Sequence, residues 1–398
     1  MERVQIERLV AGGDALARLA DGRVAFVEGA LPSEVTDIEI VQAKKDFVKA
    51  RLVEVVEPSA DRVVPPCMHV TDGCGGCSWQ HLAPAKHLAA KAEIVRESLR
   101  RVGKLGDVAV REGGAVPADH ARTTLRMAAM PSGRLGFRRA QSNDVVGIDS
   151  CLVAHPLLQE VISGARVSGA AEATLRCGAA SGDRGVWLHD ERGGNEKKAV
   201  IEGIPDDVQV GRRGIVRESV HGVTLEVTMS SFFQSSPQAA ELIVSAVNEA
   251  AGDVALSGED GPIVDAYGGC GLFAATLVDL DVPVTLVESN KSACADARRN
   301  LRDHKARIDE IAFEQWQPTR AGLVIADPAR SGLGKAGVAS VVGTRAKTVV
   351  LVSCDAVAGA RDIALLVEAG YQCHGVEVLD VFPYTHHVEL VSRFTLKA

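Results

Sequence analysis

Beyond Ser231 the chain falls into a repeating order of helical stretches and short apolar runs. Residues 237–251 have the spacing of an amphipathic helix. Residues 263–266 read as a buried strand that runs through Tyr267 into the turn Gly268-Gly269-Cys270-Gly271. Further strands are expected at 282–288, ending on Glu288, at 323–326, ending on Asp327, and at 349–352, followed by Ser353, Cys354 and Asp355. Strands that alternate with helices in this way fold as a doubly wound, mostly parallel sheet. Ligands of such sheets bind at the carboxyl ends of the strands. The polar residues named above all stand at those ends.

Two kinds of chemistry are written there. The glycine turn lets a ligand approach the backbone, and Glu288, twenty positions past Gly268, suits a ribose diol. Nicotinamide cofactors and S-adenosylmethionine both use such a site. The turn lacks the strict G-x-G-x-x-G of dinucleotide binding, which favours the methyl donor. Cys354 ends one strand, and Glu389 lies in a second apolar run, Val388-Glu389-Leu390-Val391. A thiol and a carboxylate in one crevice make a nucleophile and a base. Against this stands the plain reading of Cys354 as a small buried hydrophobe. A Glu inside an apolar run is harder to explain without a partner.

Upstream the periods differ. Residues 1–60 alternate apolar and polar over short runs separated by turns, as in a small barrel of the oligonucleotide-binding sort. Lys44, Lys45, Lys49 and Arg51 would give it a basic edge, or simply a solvated loop. Cys67, Cys74 and Cys77 then cluster around glycines, a spacing suited to an iron–sulfur cluster or zinc. A fourth thiolate must come from elsewhere, with Cys151 first and Cys177 second in line. A helix is expected at 84–102. Residues 122–139 read as a hairpin carrying Arg122, Arg126, Arg134, Arg138 and Arg139, either a phosphate-contacting face or simply a solvated one.

The net charge of −8 excludes a global basic field. Aromatic residues, at 4%, limit how many bases could stack on rings. Nine cysteines without an apolar leader argue against disulfides. No apolar stretch approaches membrane-spanning length. The expectation is a cytoplasmic monomer.

Residues 1–60, with Phe26-Val27-Glu28-Gly29-Ala30-Leu31-Pro32, resemble a TRAM domain, a small RNA-binding barrel. The whole chain resembles the RNA (uracil-5-)methyltransferase family in its iron–sulfur-containing branch. The marks are Cys74-Gly75-Gly76-Cys77 with Gln80-His81, Phe232-Phe233-Gln234, Asp265-Ala266-Tyr267-Gly268, Asp327-Pro328-Ala329-Arg330, Val352-Ser353-Cys354, Arg361-Asp362 and the stretch from Asp380 to Glu389. The resemblance implies a TRAM barrel at 1–60, a central α+β region with a cluster loop at 61–230, and a class I methyltransferase domain at 231–398. It implies that Gln234, Tyr267, Gly268, Glu288 and Asp327 hold S-adenosylmethionine, that Cys354 is the nucleophile and Glu389 the base, and that Cys67, Cys74, Cys77 and Cys151 ligate a [4Fe–4S] cluster. The implied substrate is a uridine in structured RNA, ribosomal ahead of transfer RNA. The sequence departs from the family's pattern at Ser236, Leu272, Asp355, Ala356 and Tyr384. These departures keep open an RNA-binding or RNA-folding protein with a decayed site, or a methyltransferase for another substrate.

Overall fold

The computed structural model describes residues 1–140, 142–194 and 198–397. Five strands, Glu2–Leu9, Ala15–Arg18, Val24–Glu28, Val35–Ala43 and Phe47–Glu57, close into a barrel. Val4, Ile6 and Leu9 point inward from the first strand and Thr36 and Ile38 from the fourth. Closure leaves no free sheet edge. Ala15–Arg18 is a strand that the sequence reading passed over.

The catalytic-type sheet has eight strands. Their order is Ala306–Glu310, Val284–Glu288, Ile263–Ala266, Leu323–Ala326, Thr348–Ser353, Glu389–Leu396, Tyr371–Asp380 and Val110–Ala115. All neighbours are parallel except Glu389–Leu396, which runs against both of its own. The strand order reverses between Ile263–Ala266 and Leu323–Ala326, so the ligand crevice of a doubly wound sheet opens there. Both faces are covered. Val264, Val324 and Leu351 look into one core, while Ile263, Ile325 and Val350 look into the other. This explains why the strands read as continuous apolar runs rather than alternating ones.

The segment 61–230, expected as one central domain, is divided between two sheets. Val110–Ala115, from inside the 61–230 segment, is the edge strand of the large sheet. Its neighbour His87–Ser98 is a helix packed under the same sheet. The hairpin Ile215–Val220 with Val223–Thr228 also shares a core with the large sheet, through Val220, Leu225 and Val227. What stands apart is a six-stranded sheet with strands at Thr124–Ala129, Leu135–Arg138, Val145–Gly147, Glu172–Cys177, Arg184–His189 and Gln209–Val210, backed by the helix Pro156–Gly164. The chain thus leaves the large sheet after Ala115, builds this unit, and returns. Among the described residues no helix is long and apolar enough to cross a membrane.

Candidate active site

Glu288 and Asp327 stand at the carboxyl ends of parallel strands, and Glu389 opens the antiparallel strand Glu389–Leu396 at the same end of the sheet. Tyr267 follows Ile263–Ala266 in a left-handed conformation, φ 59°. Its hydroxyl donates to Glu314 Oε1 at 2.6 Å, and its ring packs on Phe313. Gly268 has no room for a side chain, because a Cβ there would stand 2.5 Å from Leu286 Cγ. Glu288 accepts from the Gly269 N–H at 3.2 Å and the Asn290 N–H at 2.6 Å. These bonds turn its carboxylate across the mouth of the glycine turn. Behind the turn Asp265 is buried, with Oδ2 accepting from the Ala274 N–H and Oδ1 without a partner among the described residues. Burial pushes its carboxyl up to about 7. Gln234 is buried on the loop before the helix Pro237–Ala251, two residues after an exposed Phe232. That loop is tied to the central sheet, since the Thr123 N–H donates to the Ser235 carbonyl at 2.9 Å.

The crevice also gathers Asp327, Cys354 and Glu389. Ser353 and Leu390 are register partners in adjoining antiparallel strands. Cys354 and Glu389, the next residue on each, therefore face the same end of the sheet. Glu389 is buried, and its Oε1 meets no hydrogen-bond partner among the described residues. Burial, then the nearby Asp327, hold its carboxyl well above the usual range. Burial pushes Asp327 up to about 7. The Cys354 thiol is pushed up to about 12 by burial and by the charges of Glu389 and Asp327, with Arg330 acting the other way. A site that crowds two acids and a thiol is arranged for a cationic ligand, whose charge would let them ionise together.

Asp355 and Ala356, two of the departures in the sequence, have a local account. Asp355 caps the helix Ala356–Glu368, its Oδ1 accepting from Val357 N–H at 2.9 Å and Ala358 N–H at 2.8 Å. An Asn would cap equally well. Asp355→Ala is therefore expected to cost about 1 kcal/mol, and Asp355→Asn close to none, as read from thermal unfolding. The loop after Asp327 is held from the same helix. Asp362 accepts from Leu333 N–H at 2.7 Å and Gly334 N–H at 3.0 Å, while Arg361 donates to the Ser331 carbonyl at 2.6 Å.

The cysteines form a second centre. Cys67, Cys74, Cys77 and Cys151 line one cavity of about 60 Å³, with Leu125, Phe137, Ile148 and Val153. Cys177, the alternative fourth thiol, is buried on Glu172–Cys177 and does not line it. Gln80 accepts from the Cys67 N–H at 3.1 Å, and the Gly75 N–H donates to the Arg138 carbonyl at 3.0 Å. A Cβ on Gly75 would stand 2.7 Å from that carbonyl oxygen. Burial pushes the thiols of Cys74, Cys77 and Cys151 up, Cys151 to about 11. Among the described residues no three His, Cys, Asp or Glu side chains stand close enough to hold a single metal ion. What the structure shows is four thiols lining a small, largely apolar space.

Three arginines of the hairpin, Arg126, Arg134 and Arg138, are paired with acids. Arg126 and Arg138 both pair with the buried Glu172, Arg138 also with Glu191, and Arg134 with Asp149. The acids come from the neighbouring strand and loops, which local sequence did not reveal. On the barrel, Arg51 pairs with Glu39, while Lys44, Lys45 and Lys49 are exposed.

Comparison with known proteins agrees with this architecture. Residues 1–53 match the family model of the TRAM domain. An uncharacterized RNA methyltransferase of Streptomyces avermitilis is 33% identical, across 98% of this chain and 96% of its own. One from Corynebacterium efficiens is 31% identical across 99% and 94%. Among solved structures, the tRNA (uracil-54, C5)-methyltransferase of Pyrococcus abyssi, in complex with S-adenosyl-L-homocysteine, superposes with a TM-score of 0.73 at 23% identity, covering 98% of this chain and all of that one.

Proposed function

This chain belongs to the RNA methyltransferase family of those relatives, and we propose that it methylates C5 of a uridine in structured RNA. The observation that carries this reading is the convergence of Cys354, Glu389 and Asp327 on one strand-end crevice beside the glycine turn. Methylation of a base nitrogen needs no covalent nucleophile, whereas uracil C5 is too poor a nucleophile to react unaided.

In this reading Gln234, Tyr267, Gly268, Glu288 and Asp327 would hold S-adenosylmethionine, which would supply an electrophilic methyl group. The buried oxygens of Asp265 and Glu389 that have no partner among the described residues, and the side-chain-free approach at Gly268, fit a polar, cationic ligand. Cys354 attacks C6, which gives C5 its nucleophilic character. Glu389 then takes the C5 proton, the C5–C6 double bond re-forms, and the C6–Sγ bond breaks to free Cys354. A paired uridine hides C6, so the base is flipped out of its stack. The TRAM barrel, with Lys44, Lys45 and Lys49 exposed, provides the RNA-binding surface in this reading.

We assign Cys67, Cys74, Cys77 and Cys151 as ligands of a [4Fe–4S] cluster, supported by the shared four-thiol cavity. Iron and acid-labile sulfide should co-purify with the protein, and neither should bind after Cys74→Ala.

The acids also set a pH dependence. A cation binds best to ionised carboxylates, so affinity for S-adenosylmethionine should rise as pH passes upward through about 7, where Asp327 loses its proton. S-adenosylhomocysteine lacks the sulfonium charge and should show a flatter profile. Calorimetric titration from acid to alkaline pH checks this, and equal profiles for both ligands would count against Asp327 facing the sulfonium.

The direct test is incubation with S-adenosylmethionine and unmodified RNA, followed by nucleoside mass spectrometry for 5-methyluridine. Ribosomal RNA is the first substrate arm. Transfer RNA is the second, since the Pyrococcus abyssi protein is a tRNA methyltransferase. Cofactor binding with no 5-methyluridine in either fraction would overturn the reading.

A further inference from the structure

The helix His87–Ser98 carries a lysine with no exposed surface. Lys91 Nζ donates to Asp380 Oδ1 at 2.5 Å and to the Phe382 carbonyl at 2.9 Å. A buried ion pair seldom repays its desolvation in stability, so its place in the architecture is the more informative fact. Asp380 ends the strand Tyr371–Asp380, one residue beyond Leu379, and Leu379 is the register partner of Glu389. Lys91 therefore grips the strand end beside Glu389 and the start of the loop that leads back to it.

The same loop is gripped again at its middle. Tyr384 sits in the left-handed region, φ 59°, which a bulky residue keeps only when its surroundings over-determine it. Its N–H donates to His87 Nδ1 at 3.3 Å, its carbonyl accepts from the Trp79 N–H at 2.8 Å, and its hydroxyl bonds Asp119 at 3.0 Å. His87 and Lys91 lie one helical turn apart on one face. Glu389 has no comparable hold at its own tip, because Oε1 meets no donor among the described residues. The aim of that carboxylate is set by the backbone that carries it.

We infer that Lys91, acting through Asp380 and the Phe382 carbonyl, is a positioning residue for Glu389 in the removal of the C5 proton. The inference rests on the reading of Glu389 as the base. Loosening the clamp slows the step in which Glu389 takes the C5 proton, the electron pair forms the C5–C6 double bond and the Cys354 thiolate departs. It leaves the attack by Cys354 and cofactor binding in place.

The test is the double variant Lys91→Met with Asp380→Asn, which removes the pair without stranding a buried charge. RNA carrying deuterium at C5 of its uridines is the substrate, and Glu389→Gln is run beside it. The expected result is a protein–RNA adduct that survives denaturing electrophoresis, a turnover lowered about a hundredfold, and a deuterium isotope effect larger than in the unaltered protein. Adduct and isotope effect at the unaltered level would overturn the inference, whatever the turnover, since a merely structural role lowers activity without enriching this intermediate. An adduct with Glu389→Gln but not with the double variant rejects the positioning role alone. No adduct with Glu389→Gln rejects the base assignment beneath it. If the double variant fails to melt cooperatively, Lys91→Gln, too short to reach both partners, is scored by the same readouts.

Discussion

Cys354→Ala is expected to end methyl transfer to RNA while the protein still folds and still binds S-adenosylmethionine. The loss should be on the order of a million-fold, the scale seen when a covalent nucleophile is deleted. Folding should survive because Cys354 lies past the end of Thr348–Ser353, half-buried, outside both faces of the sheet core. Removing a thiol held near 12 also removes a group that neighbouring acids oppose when ionised. The measurement is 5-methyluridine formation under single-turnover conditions, with cofactor binding followed separately by calorimetry. Retained methylation would remove Cys354 from the chemistry and with it the covalent route.

Glu389→Gln should divide the reaction rather than abolish it. Glutamine keeps the shape of the side chain and its fit against Leu379 across the strand pair, but cannot accept the C5 proton. Methyl transfer should proceed once, and the product should remain bonded to Cys354 through C6. Multiple turnover should fall by about 10²–10⁴-fold, the usual worth of a positioned base. Denaturing electrophoresis of the protein with labelled RNA reads the adduct directly. Release of product at the unaltered rate would place the base elsewhere. The substitution also removes a buried acid that Asp327 disfavours in its charged form. The variant should therefore melt no lower than the unaltered protein.

The central strands of the methyltransferase-type sheet were readable from sequence because they are buried on both faces, whereas Ala306–Glu310 and Tyr371–Asp380 were not expected. Thr348–Ser353 is wholly buried, and such a run announces itself without any partner. The helix Pro237–Ala251 was found to the residue, with Ser236 as its cap and Pro237 at its first position. Val110–Ala115 was not readable. It contains Gly113 and Gly114, which suggest a turn, and it becomes a strand only beside Tyr371–Asp380. A Cβ on Gly113 would stand 2.4 Å from Glu377 Oε1, so the glycine that hides the strand is what lets it dock. The pairing of the hairpin arginines was not legible for the opposite reason. Charges are local in sequence, but the acids that cancel them, Glu172 and Glu191, arrive from elsewhere in the fold. Lys91 gave no signal at all. Nothing in its helix distinguishes it from the exposed Lys86 until Asp380, 289 residues away, is brought to it.

One core runs unbroken from Val4, Ile6 and Ile38 inside the barrel, through Trp79, Ile94 and Leu99, to Val324 and Leu351 under the large sheet. A barrel fused in this way has no hinge on which to swing. RNA held by the barrel and a uridine presented to Cys354 would then be separated by a span that the protein fixes, as the jaws of a caliper are fixed once locked. Selection among uridines would follow from how far a given folded RNA places one from the surface the barrel grips, with little need to read the bases between.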